Sequence, residues 1–512
     1  MKKFWIAFIS IFLVISLAPW AQAGPVDLRI LYVNDFHGFA EPYKPTGSEA
    51  PLGGIAYLAG AVARERRNLP SLLLAAGDMI QGNSWANLFQ GRSVIEVMNA
   101  MRFDAMVVGN HEFDFGLKTL KERIAQAKFP VLGANVGGLP CLKPYVIKNL
   151  QGVRIAIIGV VTQDTPVATH PRNVAGLTFS TPESAVRKYL PELKCKADLI
   201  VVLSHCGYQA DRELAARVPG IDVIVGGHSH SKILYPELVG QTIIVQAWEH
   251  AKALGVLDLE VIGGKIVKSK GGLQEISSAN GKANPQVQEI VARYEGQVAG
   301  KLNQVIGEAQ VDLDGQQVRT NETNLGDFIA DIMRQAARAD AALINGGSIR
   351  TGIAQGQIEV KDIYAALPFD NYLVAIKLTG AQLQQALQYG VSRLEEPAGC
   401  FPQVSGLTFT YSRSAPVGSR VKDVTVGGKP LEPQKVYVVA TNDYLAAGGD
   451  GYTVFGEALK GAGDYANLGG ALTSSNLAYN DPGTWLRDLV IAAIKARKTI
   501  VPKVDGRIKA VD

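Results

Sequence analysis

Short apolar runs alternate with amphipathic stretches between residues 26 and 262. Apolar runs of this length indicate buried strands and amphipathic stretches indicate helices, so the alternation is typical of a layered α/β fold. The pattern predicts helices at residues 55–68, 94–101, 117–128 and 185–196. It predicts strands at residues 27–35, 72–78, 104–108, 131–135, 154–161, 199–205, 223–227, 242–247 and 256–261.

The pattern changes near residue 276, where small and polar residues precede a helix predicted at residues 287–298. We interpret residues 276–301 as a connector between two domains. Beyond it, the pattern predicts an amphipathic helix at residues 324–339 and a strand at residues 341–344. A length of 512 residues is sufficient for two domains with hydrophobic cores of their own.

Polar side chains of types that can bind metals stand at the ends of five predicted strands. The phrases are Asp35-Phe36-His37, Gly77-Asp78, Gly109-Asn110-His111, Ser204-His205 and Gly227-His228-Ser229-His230. Histidines scattered through a core would not gather at strand ends, where open α/β sheets carry their ligands. We therefore interpret these phrases as one site. The remaining two histidines, His170 and His250, lie in loops without a pattern and are predicted to be ordinary surface residues.

The residue types in these phrases indicate a particular chemistry. Carboxylate, imidazole and amide ligands without thiolates suit divalent ions such as Zn, Mn or Co. The candidate ligands are too many for one ion, so we expect two ions that share one carboxylate; two-metal sites of this kind act on both oxygens of a displacement at phosphorus. The candidates are Asp35, His37, Asp78, Asn110, His205, His228 and His230. We expect His111 to meet a phosphate oxygen or a leaving group, with Asp114 holding it in orientation.

Composition restricts where the protein acts and on what. Residues 1–23 have the pattern of a secretory signal peptide, with Lys2 and Lys3 before an apolar run and small residues before Gly24. Removing them lowers the formal charge from +4 to +2. A net charge this small does not indicate a protein that binds nucleic acid. No later apolar stretch is long enough to span a membrane. We expect an exported protein, in the periplasm or outside the cell, with no nucleic-acid polymer as partner.

Four cysteines are too few for a disulfide scaffold, and the sequence does not choose pairs among them. They are Cys141, Cys195, Cys206 and Cys400. Export permits disulfides, whereas Cys206 beside His205 also fits a small buried residue. None of these patterns predicts the oligomeric state.

The order of the phrases Asp-X-His, Gly-Asp-X-X-Gln-Gly, Gly-Asn-His-Glu-X-Asp and Gly-His-X-His resembles that of the calcineurin-like metallophosphoesterases. More narrowly, nearly the whole mature chain is similar to the secreted bacterial 5′-nucleotidases, which include UDP-sugar hydrolases and 2′,3′-cyclic nucleotide phosphodiesterases. The resemblance implies a four-layer α/β/β/α sandwich at residues 25–275, a linker helix at 276–301 and a smaller α/β domain at 302–512. That second domain would bind the nucleoside.

The resemblance also implies a role for each motif residue of the first domain. One ion would be held by Asp35, His37, Asp78 and His230. The other ion would be held by Asp78, Asn110, His205 and His228, so that Asp78 bridges the two. His111 with Asp114 would form the dyad that stabilises the transition state.

In the second domain, the resemblance implies contacts with the nucleotide. Arg350 ends the phrase Asn-Gly-Gly-Ser-Ile-Arg and would reach the phosphate. Tyr444 would stack on the base, and Asp450, beside a pair of glycines, would contact it.

Two features of the second domain depart from the family pattern. Phe401 is the candidate for the second stacking ring, but relatives also carry that ring where this chain has Val404. The second arginine of the family pattern is absent from residues 351–354, and Arg393 is the candidate replacement.

Taken together, these patterns predict an exported two-metal phosphohydrolase that acts on nucleoside 5′-monophosphates and also on UDP-sugars. One alternative is a related hydrolase of cyclic nucleotides or sulfur esters, although the base-binding phrases argue against sulfur esters. Another is a nucleotide-binding surface protein without activity. Such a protein would be expected to lose ligands, whereas this chain has the complete set and the dyad.

Overall fold

The computed structural model describes residues 24–43, 50–468 and 471–512. The predicted signal peptide at residues 1–23 therefore lies outside the described residues. The described chain forms an N-terminal and a C-terminal α/β domain, with a helix between them.

Two six-stranded sheets face each other in the N-terminal domain. Apolar side chains from both sheets, among them Ile30 and Val201, are buried between them. The strand order of the first sheet is Lys265–Glu275, Ala253–Ile262, Val26–Val33, Ser71–Ala75, Ala105–Val107 and Val131–Leu132. The order of the second sheet is Glu237–Val239, Thr242–Gln246, Val223–Gly226, Leu199–His205, Val153–Val161 and Tyr145–Leu150.

Helices cover the outer face of each sheet. The first sheet is covered by Ile55–Asn68, Arg92–Met101 and Gly116–Gln126. The second sheet is covered by Pro182–Lys196 and Tyr208–Arg217. The domain therefore has four layers, in the order helix, sheet, sheet, helix, which confirms the predicted fold class.

Burial on both faces explains which strands the hydrophobic pattern predicts. Every residue of Leu199–His205 is buried, and its apolar run, residues 199–203, predicts the strand with the observed bounds. The pattern does not predict the edge strands Tyr145–Leu150 and Lys265–Glu275, whose side chains are half-buried or exposed. Without a fully buried face, these strands have no alternation of apolar and polar residues.

The helix of the connector, Pro285–Gly296, belongs to the packing of the N-terminal domain. Its buried Val287, Val291 and Tyr294 join the core on the outer face of the first sheet. The Tyr294 hydroxyl donates a hydrogen bond to Glu96 Oε2 at 2.7 Å. The connector helix is therefore anchored to the N-terminal domain by both apolar packing and a hydrogen bond.

The C-terminal domain is built on a five-stranded sheet. Its strand order is Pro402–Ser405, Ala341–Asn345, Val436–Asn442, Tyr372–Thr379 and Leu477–Trp485. Smaller sheets are formed by Gly356–Glu359, Val305–Ala309 and Thr499–Ile500, and by Lys429–Pro430, Val421–Val426, Leu407–Tyr411 and Ile508–Ala510. The longer helices are Asn324–Ala336, Val360–Ala366, Gly380–Gly390, Thr453–Lys460 and Leu486–Arg497. The predicted strand at residues 341–344 is the second strand of the main sheet, beside Pro402–Ser405.

Among the described helices, none combines the length and the apolar surface needed to cross a membrane. All four cysteines are within the described residues and are unpaired: Cys141 and Cys195 are exposed, Cys206 is half-buried and Cys400 is buried.

Candidate active site

Six of the seven predicted metal ligands form two groups. The ligand atoms of Asp35, His37 and His230 lie within 4.8 Å of one another, and so do those of Asp78, His205 and His228. Asp78 lies between the groups, because its Oδ2 is 3.8 Å from His37 Nε2 and 3.1 Å from His205 Nε2. This is the position that a carboxylate shared by two ions would occupy.

Backbone carbonyls set the orientation of two of the imidazoles. His37 Nδ1 donates a hydrogen bond to the Gln81 carbonyl at 2.9 Å, and His205 Nδ1 donates to the Ala76 carbonyl at 2.6 Å. Because each ring donates through Nδ1, the Nε2 atom of each neutral imidazole carries the lone pair, and both Nε2 atoms lie towards the Asp78 carboxylate.

The seventh predicted ligand, Asn110, presents an oxygen without a partner. Its side-chain nitrogen donates to the Ala168 carbonyl at 3.2 Å, and its Oδ1 is buried without a hydrogen-bond partner in the described chain. His205 Nε2 is buried without hydrogen-bond geometry to any described group. A buried polar atom of this kind is costly unless a ligand satisfies it. The unpaired atoms and the oxygen and imidazole donors fit divalent metal ions.

The loops that carry the ligands are strained. Asp35, His37, Asp78, His228 and His230 have φ angles between 50° and 76°, in the left-handed region that non-glycine residues rarely adopt. Such conformations cost about 1–3 kcal/mol each and persist where the surrounding structure enforces them, often at functional sites.

Two motif glycines leave the space in which the ligands meet. A Cβ atom on Gly77, whose φ is +83°, would lie 2.5 Å from His205 Nδ1. A Cβ atom on Gly109 would lie 2.2 Å from Asp78 Oδ1. Any larger residue at either position would displace a candidate metal ligand, which explains the glycine in each phrase.

Glu112 fastens the two central loops together, a role that the sequence analysis did not assign. Its carboxylate accepts hydrogen bonds from the backbone N–H groups of Asp78, Met79, Ile80 and Gly109, at distances of 2.5–3.2 Å. Burial and the neighbouring Asp78 raise the pKa of Glu112 to about 7. Its place directly after His111 in the motif was the only feature of the sequence that marked it.

His111 and Asp114 form the expected pair beside the metal ligands. His111 Nδ1 donates to Asp114 Oδ2 at 2.7 Å, and His111 Nε2 lies 4.0 Å from Asp78 Oδ2. Thr169 extends the pair, since its hydroxyl donates to Asp114 Oδ1 at 2.6 Å. Thr169 is distant in sequence and lies in no motif, so the sequence analysis missed it.

The C-terminal domain reaches the candidate metal ligands through Arg350. Its Nη2 lies 2.9 Å from His37 Nε2. Burial lowers the pKa of Arg350 to about 10, so the guanidinium remains charged at neutral pH. The ring of Phe369, which the sequence analysis did not select, lies 5.6 Å from that of His111, centroid to centroid. One charged and one aromatic side chain from the second domain thus close the site.

Tyr444 and Asp450 lie together at the domain boundary. The Tyr444 hydroxyl donates to the Val167 carbonyl of the N-terminal domain at 2.6 Å and accepts from the Asp450 N–H at 2.8 Å. Asp450 Oδ2 accepts from Asn345 Nδ2 at 2.7 Å. Burial raises the pKa of Asp450 to about 6, and the positive charges of Arg319 and Arg393 oppose that rise. The sequence analysis did not select Arg319.

Phe401 is not brought together with the other predicted contacts. Its side chain is only 1% exposed and lies in the C-terminal core, where its ring meets that of Tyr411 edge to face at 6.2 Å. In this conformation Phe401 has no open face for a base, which differs from the expected stacking role. Arg393, by contrast, is exposed.

The prediction that His170 and His250 are surface residues is wrong. His170 is 9% exposed, and burial together with Arg172 lowers its pKa to about 3. His250 is 3% exposed and its ring stacks on that of Phe39 at 3.9 Å. Burial of a loop residue depends on which elements pack over it, and no local pattern reports that packing.

The fold and the two groups of ligands define a metallophosphoesterase, and comparisons with known proteins agree. Residues 28–232 match the family model of the calcineurin-like phosphoesterases, and residues 305–457 match that of the 5′-nucleotidase C-terminal domain. The chain is 30% identical to the 5′-nucleotidase of Homo sapiens, over 98% of this chain and 94% of that protein.

Two further comparisons give the same result. The solved structure of a 5′-nucleotidase precursor from Thermus thermophilus is 33% identical, covers 95% of this chain and 99% of its own, and has a TM-score of 0.86. The trifunctional nucleotide phosphoesterase YfkN of Bacillus subtilis is 33% identical over 95% of this chain, which spans 35% of that protein. The chain therefore belongs to the 5′-nucleotidase family of metal-dependent hydrolases.

Proposed function

We propose that this protein is an exported hydrolase that releases phosphate from nucleoside 5′-monophosphates at a site for two divalent ions. The position of Asp78 between two groups of ligands, with Arg350 and His111 facing them, carries the proposal. A phosphate at this point would meet the metal ligands of one domain and the arginine of the other.

The seven residues that would hold the ions divide as the family resemblance implies. The first site would be Asp35, His37, Asp78 and His230, and the second Asp78, Asn110, His205 and His228. Their mixture of carboxylate, imidazole and amide donors supports Zn, Mn or Co. When bound, the ions supply Lewis-acid chemistry at phosphorus.

The residues around the ions take the remaining roles in hydrolysis. Arg350 presents a planar fork of donors, which suits the oxygens of a phosphate. His111 Nε2 donates a hydrogen bond to the phosphoryl group or a proton to the departing 5′-oxygen. Asp114 and Thr169 hold the His111 ring in the orientation that this transfer needs.

The nucleoside is proposed to bind at Tyr444 and Asp450, with Arg393, whose charge acts on the Asp450 carboxyl, as the candidate second arginine. The Tyr444 ring offers a stacking surface for the base, and the Asp450 carboxylate accepts hydrogen bonds from it. In the described conformation, the Tyr444 hydroxyl and Asp450 bond to protein groups. A sandwich of the base between Tyr444 and Phe401 requires a local opening that exposes the Phe401 ring.

A substrate panel tests the function. Purified protein lacking residues 1–23 is assayed with AMP, UDP-glucose, 2′,3′-cyclic AMP and bis-p-nitrophenyl phosphate, with Zn²⁺, Mn²⁺ or Co²⁺ and with EDTA. We expect AMP to be hydrolysed fastest, UDP-glucose and cyclic AMP more slowly, and every activity to be lost in EDTA. Hydrolysis of cyclic AMP ahead of AMP would favour the phosphodiesterase alternative. Lack of hydrolysis with every metal would contradict the proposal.

Export is proposed from residues 1–23 and is tested separately. Expression of the full chain in a bacterium, followed by fractionation, should place the protein in the periplasm or medium, with Gly24 as its first residue. Retention of Met1 in the cytoplasmic fraction would show that these residues are no signal peptide.

A further inference from the structure

A carboxylate holds His230 from the side that faces away from the other ligands. His230 Nδ1 hydrogen-bonds Glu249 Oε2, while His230 Nε2 lies 3.3 Å from Asp35 Oδ1. An ionised carboxylate only accepts hydrogen bonds, so this contact requires the proton on Nδ1. The lone pair of Nε2 then faces Asp35 and His37.

Glu249 is itself fixed in place. Its Oε1 accepts a hydrogen bond from Lys252 Nζ, and this ammonium lies 3.9 Å from the centroid of the Trp248 ring. The Lys252 side chain is only 5% exposed. Glu249 is therefore held between two donors and has little of the rotational freedom of a surface carboxylate.

The loop that carries Glu249 is bonded directly to the strand end that carries Asp35. The His250 N–H donates to the Asp35 carbonyl at 2.8 Å, and Asn34 Nδ2 donates to the Trp248 carbonyl at 2.6 Å. His250 Nδ1 hydrogen-bonds the Tyr43 hydroxyl at 2.8 Å. The position of Glu249 is thus tied by backbone contacts on both of its sides to the first group of ligands.

We propose that Glu249 is a positioning residue that aligns His230 Nε2 on the first metal site and makes it a stronger ligand. The inference rests on the proposed function, because it takes His230 as a ligand. Loss of a partner of this kind typically weakens metal binding by about 10–100-fold. Glu249 would therefore decide how firmly the first ion is retained, with no contact of its own to the substrate.

Metal binding by four proteins tests the inference: wild type, Glu249→Ala, Glu249→Gln and the control Glu237→Ala. Glu237 is a carboxylate that accepts a hydrogen bond from Tyr208 outside the site. Zn²⁺ affinity is measured by competition with a chelator, and the cobalt-loaded proteins are compared by visible absorption. We expect Glu249→Ala to weaken the binding of one of the two ions by about 10–100-fold and to change the absorption spectrum of the cobalt-loaded protein. Glu237→Ala should equal wild type.

Glu249→Gln distinguishes a loss of His230 alignment from a failure of the protein to fold. Its side-chain oxygen still accepts from His230 Nδ1 but carries no charge, so we expect a weakening between those of wild type and Glu249→Ala. If Glu249→Ala does not fold, an intermediate affinity in Glu249→Gln supports the proposal and an unchanged affinity overturns it. Wild-type affinity and spectrum in both variants would also overturn it, with the proposed function intact. Failure of the wild type to bind two ions would instead contradict the proposed function.

Discussion

The candidate metal ligands and the proposed nucleoside contacts differ in how completely the structure arranges them. In the N-terminal domain, backbone carbonyls orient two candidate ligands, Glu112 holds the loops beneath them, and Asp114 holds His111 beside them. In the C-terminal domain, Tyr444 and Asp450 bond to protein groups, and Phe401 is buried. On the proposed function, most groups for phosphorus chemistry are preorganised, whereas Tyr444 and Asp450 would exchange partners when a nucleoside binds, and Arg350 would exchange its contact with His37 for the phosphate.

Asp78→Asn breaks the preorganised half and should have the largest effect. The loss of one shared carboxylate disturbs both ions, each of which contributes several kcal/mol, so we expect AMP hydrolysis to fall on the order of 10⁴-fold. The measurement is phosphate release at saturating Mn²⁺, with metal content by elemental analysis. Asp198→Asn, which removes a surface partner of Arg154, is the control. Wild-type turnover in Asp78→Asn would show that the two-metal arrangement is wrong.

His111→Ala keeps the ligands and removes the proposed proton donor. We expect turnover of AMP to fall about 10²–10³-fold, within the range usual for acid–base groups, while both ions remain bound. Turnover and metal content are measured on the same sample. A large loss of bound metal would instead identify His111 as a ligand.

Tyr444→Ala tests the half that is less organised. Stacking on an aromatic ring contributes about 1–3 kcal/mol per base, so we expect kcat/KM for AMP to fall about 5–150-fold. Bis-p-nitrophenyl phosphate has no nucleoside and should be hydrolysed at nearly the wild-type rate. Tyr444→Phe is the matched control, because it keeps the ring and loses the hydroxyl bonds to Val167 and Asp450. Equal losses on both substrates would mean that Tyr444 does not serve the nucleoside.

The same contrast describes what the sequence could predict. Asp35, Asp78 and His205 stand at or just beyond the ends of buried strands, and the apolar runs locate those ends, so their convergence at one edge could be expected. A stacking role for Phe401 requires one open face of its ring. The C-terminal core buries that ring. Phe369, like Thr169, reaches the site only through the packing of distant elements. Local patterns contain no information about such contacts.

Thr169→Val should give the smallest effect and tests how tightly the preorganised half is held. The Thr169 hydroxyl is one partner of Asp114, and valine keeps its shape without the donor. A single hydrogen bond contributes about 0.5–1.5 kcal/mol, so we expect turnover to fall about 2- to 12-fold. KM and metal content should stay unchanged, because Asp114 still accepts from His111. Thr165→Val is the control in the same turn, since its hydroxyl donates at 2.7 Å to the Thr162 carbonyl and not to Asp114. If Thr169→Val changes KM and leaves turnover intact, then Thr169 shapes the substrate pocket and does not orient His111.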